Sequence, residues 1–92
     1  MGITNFDAVK ATTMGKYTVV AADDTANTKS INLATAFGTD IPTGFIVQIL
    51  RSNVTVTGDA VITLNTTTKV LTVADGSTYV LTTGDVINYI VY

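Results

Sequence analysis

Short runs of Val, Ile, Thr and Tyr, each cut off by Gly, Asp, Asn or Pro, constrain this chain more than any other feature of its sequence. β-Branched and aromatic side chains suit a pleated, half-buried surface, and turn residues recurring at intervals of about eight to twelve positions divide such a sequence into strands. The segments read this way are 16–22, 29–34, 45–51, 53–57, 60–65, 69–74, 77–82 and 86–92. No long stretch repeats its apolar residues with the period of a helix. Residues 6–11 have room for one turn behind an Asn5 cap, too short to stand as a helix alone. The expected fold class is therefore all-β: a small antiparallel β-sandwich or β-barrel of about seven to eight short strands. Residues 1–15 carry little strand signal and are read as an extended N-terminal arm, with residues 16–92 forming a single β domain.

Turn chemistry sharpens that reading at three places. Asp75-Gly76 sits between Leu71-Thr72-Val73-Ala74 and Ser77-Thr78-Tyr79-Val80, and Asp-Gly suits a type I′ hairpin turn, where both central residues need positive φ. Ile41-Pro42-Thr43-Gly44 has Pro and Gly at the positions favoured by a type I turn. Thr57-Gly58-Asp59 and Thr83-Gly84-Asp85 form a weak internal echo, read as reuse of one turn chemistry rather than as a repeat.

Side-chain alternation points to partners. One face of 45–50 carries Phe45, Val47 and Ile49, and the other carries Ile46, Gln48 and Leu50. In the last strand Ile87, Tyr89 and Val91 face one way, and Val86, Asn88, Ile90 and Tyr92 the other. Strands apolar on both faces are usually covered on both. A chain of 92 residues has one core to offer, and folding at this size buries roughly 63% of the unfolded surface. Charged residues are only 13% and mean hydropathy is +0.43, so apolar surface is expected to remain for neighbouring chains to cover. The candidate partner-binding residues are Ile3, Phe6 and Val9 on the arm, and Tyr89, Ile90 and Tyr92 on the last strand. An arm of this kind is either frayed or ordered by docking onto a neighbour.

Composition narrows the function. Net charge is −2 and the five Lys and Arg are scattered, which argues against nucleic acid and a membrane surface as partners. No apolar run approaches the length of a membrane span, and the first residues have no signal-peptide character. Histidine and cysteine are absent, removing the usual general base, activated nucleophiles and common zinc ligands. Lack of cysteine also fits folding in a reducing compartment. Asp40, Asp59, Asp75 and Asp85 stand beside or near Gly or Pro and are read as turn-stabilising residues. Asp23-Asp24, with Asn27, invites a calcium reading, but the spacing lacks the EF-hand pattern and a bidentate Glu. A solvated loop is the better reading there. No cofactor and no enzymatic activity are expected. A glycan-binding module is the main alternative, although Trp is absent and Tyr17, Tyr79, Tyr89 and Tyr92 fall within strands.

The opening Met1-Gly2-Ile3-Thr4-Asn5-Phe6-Asp7 resembles the start of small virion proteins of tailed bacteriophages. The stretch from Pro42-Thr43-Gly44-Phe45-Ile46-Val47-Gln48-Ile49 through Thr82-Thr83-Gly84-Asp85-Val86-Ile87-Asn88-Tyr89 is similar to them too. The likeness covers most of the chain and is one of general character, being Thr-rich and poor in Cys and His, with a Gly-Asp turn before the last strand. It implies a capsid decoration, or cement, protein made in the bacterial cytoplasm and placed on the capsid exterior. Its implied partners are the major capsid protein and further copies of itself, a trimer being favoured. A head- or tail-fibre component shares the same character.

Overall fold

A computed structural model describes residues 11–92. Seven strands and two short helices follow one another along the chain: β1 (Thr13–Thr18), α1 (Ala21–Ala26), β2 (Thr28–Asn32), α2 (Ala34–Phe37), β3 (Phe45–Arg51), β4 (Val54–Thr55), β5 (Val61–Asn65), β6 (Val70–Ala74) and β7 (Val86–Val91). They build two antiparallel sheets, one of four strands in the order β1-β7-β3-β4 and one of three in the order β2-β6-β5. The expected all-β class is what forms, as a sandwich of two sheets.

Register explains the layering. In the four-stranded sheet Tyr17, Ile87 and Ile49 lie in one row across β1, β7 and β3, and Gly15, Tyr89 and Val47 in the next. In the three-stranded sheet Ile31, Leu71 and Leu64 align, as do Lys29, Val73 and Ile62. These rows face each other. One apolar cluster joins Val19, Ile49, Val73, Tyr79, Leu81 and Ile87, and a second joins Leu33, Phe37, Leu71 and Val91. Each draws on both sheets, which ties the layers together. Fully burying an aliphatic side chain contributes about 1.5–3 kcal/mol, and Ile49, Leu71, Leu81 and Ile87 are all sealed from solvent.

Several local expectations are corrected. The hairpin at Asp75-Gly76 does not form, and 77–82 is not a strand: among the described residues Gly76 is not one of those with positive φ. The segment is held by side chains instead. Asp59 accepts the N–H groups of Thr78 (2.8 Å) and Tyr79 (2.7 Å), and Asp75 accepts that of Leu81 (2.7 Å). Gly76 is needed for close approach, since a Cβ there would collide with the backbone carbonyl of Asp59. The positive-φ pair of a type I′ turn is found at Ser52 (φ 51°) and Asn53 (φ 64°), joining Arg51 to Val54. The strand expected over 53–57 is correspondingly cut to Val54–Thr55. Ile41–Gly44 makes no turn; Thr43 and Gly44 donate their N–H groups to the Tyr92 carbonyl instead.

Strand β1 begins at Thr13, three residues before the expected start, and ends at Thr18. Ala11 is tied in ahead of it, donating its N–H to Asp40 at 2.9 Å. Asp23-Asp24 is not a solvated loop but part of α1. Asp23 is buried, accepting the Tyr17 hydroxyl at 2.6 Å and the Val20 N–H at 3.1 Å, and Asn27 closes the helix in the left-handed conformation. The one-turn helix considered at 6–11 falls almost wholly outside the described residues.

Candidate functional site

The outward face of the four-stranded sheet follows from the same register. Met14, Ile90 and Ile46 form one row across β1, β7 and β3. Lys16, Asn88 and Gln48 form the next, followed by Thr18, Val86 and Leu50. On the other side of the first row, Tyr92 pairs with Gly44 through reciprocal backbone hydrogen bonds of 3.0 and 3.1 Å. A Cβ on Gly44 would lie 2.7–2.8 Å from the Tyr92 ring, so the missing side chain gives that ring its place on the sheet. An apolar band of Tyr92, Met14, Ile90 and Ile46 therefore crosses one end of the sheet. It is open to solvent: Met14 is 72% exposed, Ile46 60% and Tyr92 43%. A hollow of about 460 Å³ lies over Met14, Ile46 and Ile90, with Lys16, Gln48 and Asn88 on one side and Gly15 and Tyr89 also in its lining. Among the described residues its rim carries one charged side chain, that of Lys16.

The structure separates the residues that the sequence nominates for partner binding. Ile90 and Tyr92 are on the band. Tyr89 belongs to the inward row, packs against both apolar clusters, and lies where a side chain on Gly15 would have to go. Ile3, Phe6 and Val9 lie outside the described residues. Met14 and Ile46 are band members that sequence reasoning misses as partner residues. Alternation does place Ile46 on the face opposite Phe45 and Val47. Met14 is hidden by Gly15, which weakens the strand signal just where β1 begins.

The carboxylates are engaged elsewhere. Asp24 accepts both the N–H and the hydroxyl of Thr83 at 3.0 Å. Asp85 is 0% exposed and receives Arg51 in a two-pronged pair, Nε to Oδ1 at 2.8 Å and Nη2 to Oδ2 at 2.8 Å. The Tyr79 hydroxyl donates to the same carboxylate at 2.9 Å, and Arg51 also reaches the Val80 carbonyl and the Thr82 hydroxyl. Burial works to raise the pKa of Asp85, but the hydrogen bonds from Arg51 and Tyr79 outweigh it and hold it below the ordinary value. Burial and the Asp85 hydrogen bond push the Tyr79 phenol well up, keeping it a neutral donor. Asp59 is lowered by the backbone N–H groups of Tyr79 and Thr78. Tyr79 is thus gripped at both ends, its N–H by Asp59 and its hydroxyl by Asp85. These side chains act across the chain as well as within their own turns, further than a turn-stabilising role requires. Among the described residues no three Asp side chains gather into a metal-holding group.

No protein-family model matches the chain, and neither curated proteins nor solved structures give a significant match.

Proposed function

We propose that this chain is a structural protein of a phage particle, a capsid decoration protein that binds the major capsid protein lattice and further copies of itself. The observation that carries the reading is the band on the outer sheet in which exposed Met14, Ile46 and Tyr92 flank half-buried Ile90. A large exposed apolar patch with a polar rim is the usual mark of a protein contact. The general likeness to small virion proteins supports placing that contact on a capsid. With its carboxylates taken up in holding loops and turns, the chain is read as acting by attachment rather than by chemistry.

Replacing Ile46 by Asp tests this, because the side chain is on the outside and its loss leaves the core intact. The Ile46→Asp chain is expected to keep the wild-type amide spectrum and to lose attachment to heads lacking the protein by at least tenfold in co-sedimentation. Undiminished attachment would contradict the reading. A glycan-binding role has one feature in its favour: beside the band, a second hollow of about 320 Å³ has the amine of Lys16, the hydroxyl of Ser52 and the amides of Asn53 and Asn88 in its lining, together with Leu50 and Val86. Saccharide binding by the isolated chain on a glycan array, lost with Asn88→Ala, would favour that role over attachment.

A further inference from the structure

We infer that two copies of this chain pair along the open edge of β1, antiparallel and about a two-fold axis, with Met14 opposite Met14 of the second copy. The two four-stranded sheets then run on as a single sheet of eight strands. This names the self-contact within the function proposed above and rests on that reading for there being one.

Backbone direction gives the surface. Gly44 and Tyr92 exchange N–H bonds, so alternation turns the backbone groups of Ile90, Asn88 and Val86 toward β3. Those of Val91, Tyr89 and Ile87 then turn toward β1, where Thr13, Gly15 and Tyr17 meet them. Met14, Lys16 and Thr18 are left with N–H and C=O groups directed at the open edge, bonded to no other described residue. Such an edge is a template for a further strand. At six residues, β1 is the longest of the four edge strands.

Three features select a second copy and fix the register. Lys16 opposite its own copy would set like charges face to face, which destabilises a strand pair. With Met14 at the axis, Lys16 lies opposite Thr12 of the second copy instead, and the two lysines stand about 13–14 Å apart along the strands. The same register continues the apolar row, since Ile46, Ile90 and Met14 of one copy are followed by Met14, Ile90 and Ile46 of the other. On the inward face, the Tyr89 hydroxyl fills the place of a Cβ on Gly15 and bonds to no described residue. Thr13 of the second copy stands opposite Gly15, where directly paired side chains are about 4.5–5.5 Å apart at Cβ. Its hydroxyl is thereby brought within reach of Tyr89. A two-fold contact of this kind uses both edges at once and closes at two copies.

The full chain is expected to sediment as a dimer that dissociates on dilution. It has no cysteine, so single cysteine substitutions report the register. Hydrogen-bonded partners in an antiparallel pair lie about 5.5 Å apart at Cα, within disulfide range. Mild oxidation is expected to link more than half of a Met14→Cys chain, but less than a tenth of Lys16→Cys or of Val61→Cys on the other sheet. Lys16→Pro removes an outward-directed N–H, a position where edge strands accept proline. It is expected to keep the fold and weaken the dimer at least tenfold; should it unfold, the cysteine chains decide alone. A full chain that stays monomeric into the millimolar range, or Lys16→Cys linking faster than Met14→Cys, would overturn the inference. So would a dimer kept in folded Lys16→Pro but lost in Ile46→Asp, which would move the contact to the sheet face. No capsid enters these measurements. If edge pairing fails while Ile46→Asp still lowers attachment to heads, the capsid contact stands without it.

Discussion

At the scale of single residues, the most consequential group is Asp85. A fully buried carboxylate is tolerable only when its charge is met, and here Arg51, Tyr79 and the Thr82 N–H meet it. Asp85→Asn removes the charge and leaves the guanidinium without its counterion. Because the Arg51 side chain is 44% exposed, water recovers part of that loss. The expected cost is about 2–3 kcal/mol, below the range for breaking a fully buried pair, or a fall in Tm of roughly 10–20 °C. The pH dependence has a definite sign. Asp85, Asp59 and Asp23 have pKa values lowered in the folded chain. Their contribution is therefore complete above the unfolded carboxylate pKa of about 4 and is lost as pH falls through the folded values. Thermal melts from pH 7 to pH 2 should show the gap between wild type and Asp85→Asn narrowing below about pH 4. A gap that stayed constant would mean that the charge of Asp85 contributes nothing.

At the scale of elements, the segment between β6 and β7 shows how carboxylates can replace a strand ladder. Gly76→Ala pushes a methyl group into the Asp59 carbonyl, and Asp59 is what holds the Thr78 and Tyr79 N–H groups. The expected loss is about 1–3 kcal/mol, as for other overpacked positions, read by urea denaturation. An effect near zero would show that the segment is not fastened through Asp59. The same segment marks where the sequence stops being legible. Strands β3, β5, β6 and β7 are readable because β-branched, Leu and aromatic residues fill them with few interruptions. Asp75-Gly76 misleads because its local signal is that of a hairpin, while the winning interaction comes from Asp59, distant in the chain. Ser52-Asn53 is hard to recognise as a turn because Ser is a weak marker for positive φ, although Asn53 has the right chemistry. Likewise α1 has no helical periodicity. Its place depends on Asp23 meeting Tyr17 and Val20, a tertiary arrangement invisible to local pattern.

At the scale of the whole molecule, the two sheets divide their faces unequally. Facing rows close the core, and the outward side of the smaller sheet is mixed and largely polar, with Ser30, Thr72 and Thr63 aligned across its middle. The outward side of the larger sheet carries the apolar band. The two-sided character of β3 and β7 is legible in the sequence; the band itself is not, because it needs the lateral order β1-β7-β3 to bring Met14, Ile90 and Ile46 into one row. The proposed function requires that this face, not the outward side of the smaller sheet, meets a partner. Hydroxyl-radical footprinting of the chain in purified particles, compared with the Ile46→Asp chain free in solution, tests it most directly. Met14 is predicted to be oxidised at least fivefold more slowly in the particle, while Val61 on the opposite sheet reacts equally in both. Unprotected Met14 alongside protected Val61 would contradict the claim.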